Sequence, residues 1–170
     1  MPALPRPNIL GSTLLTTIGI IGAGQCTPEE ASLAEEVGHR LAQAGAVVVC
    51  GGLGGVMEAA CRGARSANGL TLGLLPGLDR SDANPSVELA LPTGLGEARN
   101  ILIVRAAQAI IAIGGEYGTL SEIAFALRTR VPIIGLGTWQ LARGNRIESH
   151  FPAAADAEEA VRLALGSVNP

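Results

Sequence analysis

The sequence predicts an α/β protein, a single-domain Rossmann-like fold with a doubly wound, mainly parallel sheet and helices on both faces. Three observations carry that prediction. Short apolar runs suited to buried strands, Ala109–Ile113 the strongest, alternate with helical patterns across short connections. Two of these runs break directly into glycine-rich turns, Gly51-Gly52-Leu53-Gly54-Gly55 and Gly114-Gly115-Glu116-Tyr117-Gly118, before a helix follows. Finally, 48% of the 170 residues are apolar and 16% charged, the balance of a sheet covered on both sides.

The elements follow in order. Residues 1–16 are apolar but interrupted by Pro2, Pro5, Pro7 and Gly11, and read as a loose arm with no signal-peptide pattern; 17–170 read as one nucleotide- or phosphate-binding domain. Thr17–Ile21 is the first strand. Thr27-Pro28-Glu29-Glu30 opens a helix with a threonine cap, proline at the first position and glutamate three after the cap, and Gly45 ends it. Ala46–Cys50 is the second strand, Gly55–Ala67 the second helix and Leu70–Leu75 the third strand. Leu78–Pro85 reads as a mobile loop at the edge of the glycine turns. A short strand at Val87–Leu91 and a helix over Gly96–Ala107 come next. Ala109–Ile113 is the central strand, Thr119–Arg128 a helix, Val131–Leu136 the last strand and Ala157–Leu165 a terminal helix.

Composition excludes several functions. All twelve basic residues are arginine, so neither a lysine Schiff base nor a Walker-type phosphate loop is available. Cys26, Cys50 and Cys61 are odd in number and lack metal-ligand spacing, so no disulfide framework, metal site or required cofactor is expected, and a reduced, cytoplasmic setting is. No stretch approaches the roughly 20 apolar residues of a membrane span. A net charge of −3 with four aromatic residues argues against nucleic acid as a partner.

A glycine turn between a strand and a helix lets main-chain N–H groups and the positive helix end meet an anion closely. The candidate binding residues are therefore Gly51, Gly52, Gly54, Gly55, Gly114, Gly115, Glu116, Tyr117, Gly118 and Thr119, with Gly22 and Gly24 on a third turn. That third turn lacks the last glycine of a dinucleotide fingerprint, and no acid ends the second strand, which argues against NAD or FAD. Glu58 falls in the first turn of its helix, where a carboxylate also serves the dipole. Glu122 has two readings: a ligand contact, or the far end of a capping box begun by Thr119. Arg99 stands near a helix start, where a cation opposes the dipole; either Glu97 or a bound phosphate is expected to compensate it. Arg105 reads as a surface or interface ion-pair partner, and Cys50 and Cys61 as small buried hydrophobes.

Taken together, Gly51–Ala59, Gly73–Gly77, Thr93–Asn100 and Gly114–Glu122 resemble the LONELY GUY superfamily of Rossmann-like proteins, once widely mislabelled lysine decarboxylases. The resemblance is to the short bacterial branch related to molybdenum-cofactor carrier proteins. In the cytokinin-activating enzymes of that superfamily a proline-glycine-glycine-x-glycine-threonine-x-x-glutamate motif cradles a nucleotide phosphate. Its glutamate works with an upstream arginine on an N-glycosidic bond. The resemblance places Glu122 and Arg99 as the catalytic pair and Asn100 beside the ligand. Gly114 replaces the motif's proline and Glu116 a glycine, while Glu97 and Asn100 replace the histidine and lysine flanking the arginine. The expected activity is hydrolysis of a nucleoside 5′-monophosphate to a free base. The alternative is a non-catalytic carrier or sensor of a phosphorylated cofactor, such as the pterin of molybdenum cofactor. Lysine decarboxylation is not expected, and a homodimer or larger homo-oligomer is.

Overall fold

The computed structural model describes residues 14–148 and 150–168, so the expected N-terminal arm lies, up to residue 13, outside the described residues. Eight strands and five helices follow one another as β1 (Thr17–Gly22), α1 (Pro28–Gln43), β2 (Val47–Cys50), α2 (Val56–Ser66), β3 (Thr71–Leu75), β4 (Leu89–Pro92), α3 (Asn100–Ala106), β5 (Ala109–Ile113), α4 (Tyr117–Thr129), β6 (Ile133–Leu136), β7 (Leu141–Arg143), β8 (Arg146–Glu148) and α5 (Ala157–Val168). Six strands form one sheet in the order β4-β3-β2-β1-β5-β6, and every pair in it is parallel. The chain winds outward through β2, β3 and β4, then returns to the other side of β1 to add β5 and β6. The strand order reverses between β1 and β5, where a doubly wound sheet opens a crevice at its carboxyl edge.

Strand periodicity sorts the core into two layers. Ile18, Ile20, Val48, Cys50, Ile111 and Ile113 face α1, α2 and α5, while Ile21, Val47, Val49, Ile110 and Ala112 face α3 and α4. Successive side chains of a strand point to opposite faces, so a strand buried on both sides must be apolar throughout, as β5 is. The predicted capping box at the start of α1 is present: Thr27 Oγ1 accepts from the Glu30 N–H at 3.2 Å and the Glu30 carboxylate accepts from the Thr27 N–H at 2.9 Å.

Helices α1 and α2 touch backbone to backbone. A methyl group on Gly38 would collide with the Ala60 carbonyl, and one on Gly63 with the Glu35 carbonyl. Neither obstacle is a flexible side-chain end, so the helices themselves must separate. Gly63→Ala is expected to cost about 2 kcal/mol despite the better helix propensity of alanine, read as a lowered urea midpoint with unchanged slope. A midpoint equal to or above that of the parent protein contradicts the close crossing.

Four local expectations change. The hairpin β7–β8 was not anticipated; it is antiparallel and turns at Gly144-Asn145. The region read as a mobile loop is tied down: Asp79 accepts from the Ser81 N–H at 2.8 Å, a short 3-10 turn spans Arg80–Asp82, and the Asn84 side chain donates to the Leu53 carbonyl at 2.8 Å. The helix expected over Gly96–Ala107 starts as a 3-10 turn over Gly96–Arg99. Helix α4 begins at Tyr117, not Thr119. Among the described residues no helix is long and apolar enough to cross a membrane.

Candidate functional site

A cavity of about 430 Å³ opens at the switch point between β1 and β5. Gly22, Ala23 and Gly24 bring one wall from the end of β1, and Leu53 and Met57 a second, apolar wall from the β2–α2 turn and α2. Pro76 follows β3. Gly96, Glu97, Arg99 and Asn100 approach from the 3-10 turn and α3, and Glu116, Gly118, Thr119 and Glu122 from the start of α4. Of the residues singled out in the sequence, the fold thus assembles Gly22, Gly24, Arg99, Asn100, Glu116, Gly118, Thr119 and Glu122 around one space.

Others lie elsewhere. In the first glycine turn only Leu53 lines the cavity; Gly51, Gly52, Gly54, Gly55 and Glu58 do not. Some polar groups of that turn are engaged by the chain itself. The Gly52 N–H donates to Cys50 Sγ at 3.3 Å, the Gly52 carbonyl accepts from the Asn84 N–H at 2.9 Å, and the Val56 N–H at the start of α2 donates to the Ala23 carbonyl at 3.1 Å. Gly51 is where the Arg99 guanidinium packs: a Cβ there would stand 2.5 Å from Nη1. Arg99 thus comes close at Gly51, and the β1 turn at Gly54 and Gly55.

The second glycine turn divides. Gly118 and Thr119 face the switch-point cavity, whereas Gly114 and Gly115 face a neighbouring one of about 340 Å³ with Glu30, Gly137, Thr138 and Trp139. Tyr117, between them, is 81% exposed, with its ring 5.8 Å from that of Trp139.

The start of α4 also decides between the two readings of Glu122. The helix cap is Glu116, extended at φ −107 and ψ −163, and its side chain caps nothing. Glu122 therefore lies in the second helical turn with 6% of its surface exposed, so the capping-box alternative does not hold. The first helical bond of α4 runs from the Leu120 N–H to the Glu116 carbonyl at 3.0 Å, leaving the N–H groups of Tyr117, Gly118 and Thr119 without intrahelical partners.

Two buried charges face this cavity. Arg99 is 7% exposed; its Nη1 donates to Asn100 Oδ1 at 2.9 Å, while Nε is buried with no hydrogen-bond partner. Among the described residues no carboxylate lies within 4.0 Å of its guanidinium. Glu97, one of the two compensating anions expected from the sequence, thus makes no ion pair with it. Burial holds the guanidinium below its ordinary value, with Glu122 opposing the shift. Burial also pushes the Glu122 carboxyl up to about 7, against the pull of Arg99. An acid half-protonated near neutrality and a desolvated cation share one wall, a combination typical of sites that bind or turn over ligands.

The cysteines are free thiols, with Cys50 and Cys61 fully buried and their sulfurs 3.5 Å apart. Arg105, expected in an ion pair, is exposed and makes none among the described residues. Sequence reasoning missed the apolar wall of Leu53, Met57 and Pro76. Leucine inside a glycine turn was its one visible sign.

Comparison with known proteins places this geometry in context. The SLOG cluster4 family pattern matches residues 15–164. The molybdenum cofactor binding protein of Rippkaea orientalis superposes with a TM-score of 0.84 at 34% identity, covering 93% of this chain and 100% of that one. The molybdenum cofactor carrier protein of Chlamydomonas reinhardtii does so with a TM-score of 0.82 at 29% identity, covering 92% and 100%. An uncharacterized protein of Archaeoglobus fulgidus is 41% identical over 133 residues, 78% of this chain and 87% of its own length.

Proposed function

The chain belongs to the SLOG cluster4 family, and from that premise we propose that it carries a phosphorylated cofactor, of which the pterin of molybdenum cofactor is the leading candidate. The observation that supports this most is Arg99: a guanidinium almost wholly buried, with, among the described residues, no partner for Nε and no carboxylate in contact. A buried cation is costly unless an anion meets it, and a phosphate entering the cavity supplies one. The N–H groups of Gly118 and Thr119 at the positive end of α4 add donors suited to the same oxygens. Leu53, Met57 and Pro76 offer an apolar wall to a planar ring. Likeness to a cofactor-binding protein and a cofactor carrier, each covered over its whole length, favours cargo over substrate.

A second reading, hydrolysis of a nucleoside 5′-monophosphate, rests on Glu122. A carboxyl titrating near 7 can donate or accept a proton at physiological pH, and beside Arg99 it can stabilise a cationic sugar while the arginine positions phosphate.

One experiment separates the readings. The protein is incubated anaerobically with molybdenum cofactor released from a molybdoenzyme and, separately, with a panel of purine and pyrimidine 5′-monophosphates from pH 5 to 9. Unfolding temperature and free base are measured. The carrier reading expects stabilisation by the cofactor, about 3 kcal/mol at a hundredfold excess over Kd, and no base release. Base release that disappears in Glu122→Ala transfers the assignment to hydrolysis. Absence of both effects removes both readings.

A further inference from the structure

We infer that the switch-point cavity takes up its anion together with one proton, which Glu122 holds and donates to the anion in a hydrogen bond. The inference rests on the reading of that cavity as an anion site, and it adds a proton to what the site binds.

Glu122 is placed for this role. It stands four residues after Gly118 on α4, and residues so spaced lie on one helix face about 5–6 Å apart. Both line the cavity, so an anion held by the N–H groups at the start of α4 sits next to the carboxyl. Glu122 is more than nine-tenths buried, and among the described residues its side chain makes no hydrogen bond and no ion pair. Among those residues the fully enclosed, unpartnered side-chain polar atoms are Arg99 Nε and Trp139 Nε1. The Glu122 oxygens, like Arg99 Nη2, therefore reach open space.

The charges around the carboxyl decide which form receives an anion. Arg99 supplies one positive charge from the end of the 3-10 turn, while Glu97 on that turn and Glu116 at the cap of α4 are acidic and line the same cavity. Cys50, at the end of β2, is a buried thiol that feels both Arg99 and Glu122. Strands β1, β5 and β6, against which α4 packs, bring no charged side chain, and Arg105 stands exposed in the last turn of α3. With Glu122 ionised, Arg99 is offset before any ligand arrives, and a dianion meets a cavity without net positive charge. With Glu122 protonated, that offset is lifted and the carboxyl offers an O–H donor. Burial lifts the group to about 7 against the pull of Arg99, so the proton is at hand near neutrality. By linkage, an anion that prefers the protonated form also tightens the hold on that proton.

Sulfate is the probe, because it keeps two negative charges and carries no proton from pH 5 to 9; any proton taken up is then the protein's. Calorimetry of the full chain at pH 7, in two buffers of different ionisation enthalpy, is expected to show uptake of about half a proton per sulfate, rising toward one at pH 8, and affinity is expected to be about tenfold weaker at pH 8 than at pH 6. Glu122→Gln should bind sulfate with no uptake and with equal affinity at both pH values, while Glu116→Gln keeps the uptake. Sulfate binding without proton uptake, or uptake that survives in Glu122→Gln, overturns the inference and leaves the anion reading standing. Binding of inorganic phosphate but not of sulfate at pH 6 overturns it as well, because the site then reads a proton on the ligand. If neither anion binds at pH 6, the anion reading falls and the inference with it.

Discussion

Replacing Glu122 with glutamine is expected to flatten the pH dependence of stability between about pH 4.5 and 7, and to leave the variant about 3 kcal/mol more stable than the parent at pH 8. In the unfolded chain this carboxyl titrates near the ordinary value of 4.5; in the folded protein, burial lifts it to about 7. Below 4.5 both states hold the proton, and the group adds no pH dependence. Between the two values the unfolded state releases its proton and the folded state does not, so rising pH favours unfolding. Above 7 both are ionised and the loss is complete, about 1.4 kcal/mol for each pH unit of separation. Glutamine has no proton to lose and keeps the shape of the neutral acid. Urea unfolding of both proteins at pH 4.5, 6, 7 and 8 measures the effect. Parallel stability curves would show that the carboxyl is neither desolvated nor shifted. The same variant informs function: a carrier that uses Glu122 only as a neutral wall keeps its affinity for cargo, whereas a hydrolase loses turnover.

The contrast between Glu122 and the glycine turns indicates how far residue patterns reach. Strands were legible because a strand buried on both faces must be apolar at every position, and β2, β5, β6 and the buried Ile18–Ile21 stretch of β1 satisfy that without relying on distant residues. The start of α1 was legible because its cap is local chemistry, Thr27 with Glu30 three residues on. The start of α4 misled for the same reason: Thr119 and Glu122 carry the capping-box spacing, yet the chain turns helical at Tyr117 and makes both interior. Gly144-Asn145 is a hairpin signal that strands of three residues were too short to reinforce. The use made of a glycine was the least visible property. Gly51 and Gly118 look alike in sequence, but one accommodates Arg99 and the other faces open space. What fills the room beside a glycine depends on residues many positions away, and spacing carries no trace of it.

Arg99→Met is expected to separate stability from function, weakening the binding of a phosphate-bearing ligand about a hundredfold while leaving the protein equally or more stable at pH 6. The guanidinium is buried against Gly51 and bonded to Asn100, with no further partner among the described residues, so its desolvation is only partly repaid. Methionine fills a similar space without charge, and such replacements of buried ionic groups are often neutral or stabilising by about 1–4 kcal/mol. The choice of pH matters. Arg99 holds the Glu122 carboxyl lower than burial alone would, so removing it drives that value above 7 and deepens the alkaline loss of stability. At pH 6 the carboxyl is largely protonated with or without the arginine, and the gain can be read without that contribution. The affinity loss follows from charge-assisted hydrogen bonds worth about 1.5–3 kcal/mol to a phosphate in a desolvated cavity. Calorimetry with molybdenum cofactor, or with inorganic phosphate as a minimal probe, gives the affinity, and urea unfolding at pH 6 the stability. A variant that binds as tightly as the parent removes Arg99 from the site. One that loses several kcal/mol at pH 6 shows instead that the arginine is a structural strut, held for the Gly51 turn and not for a ligand.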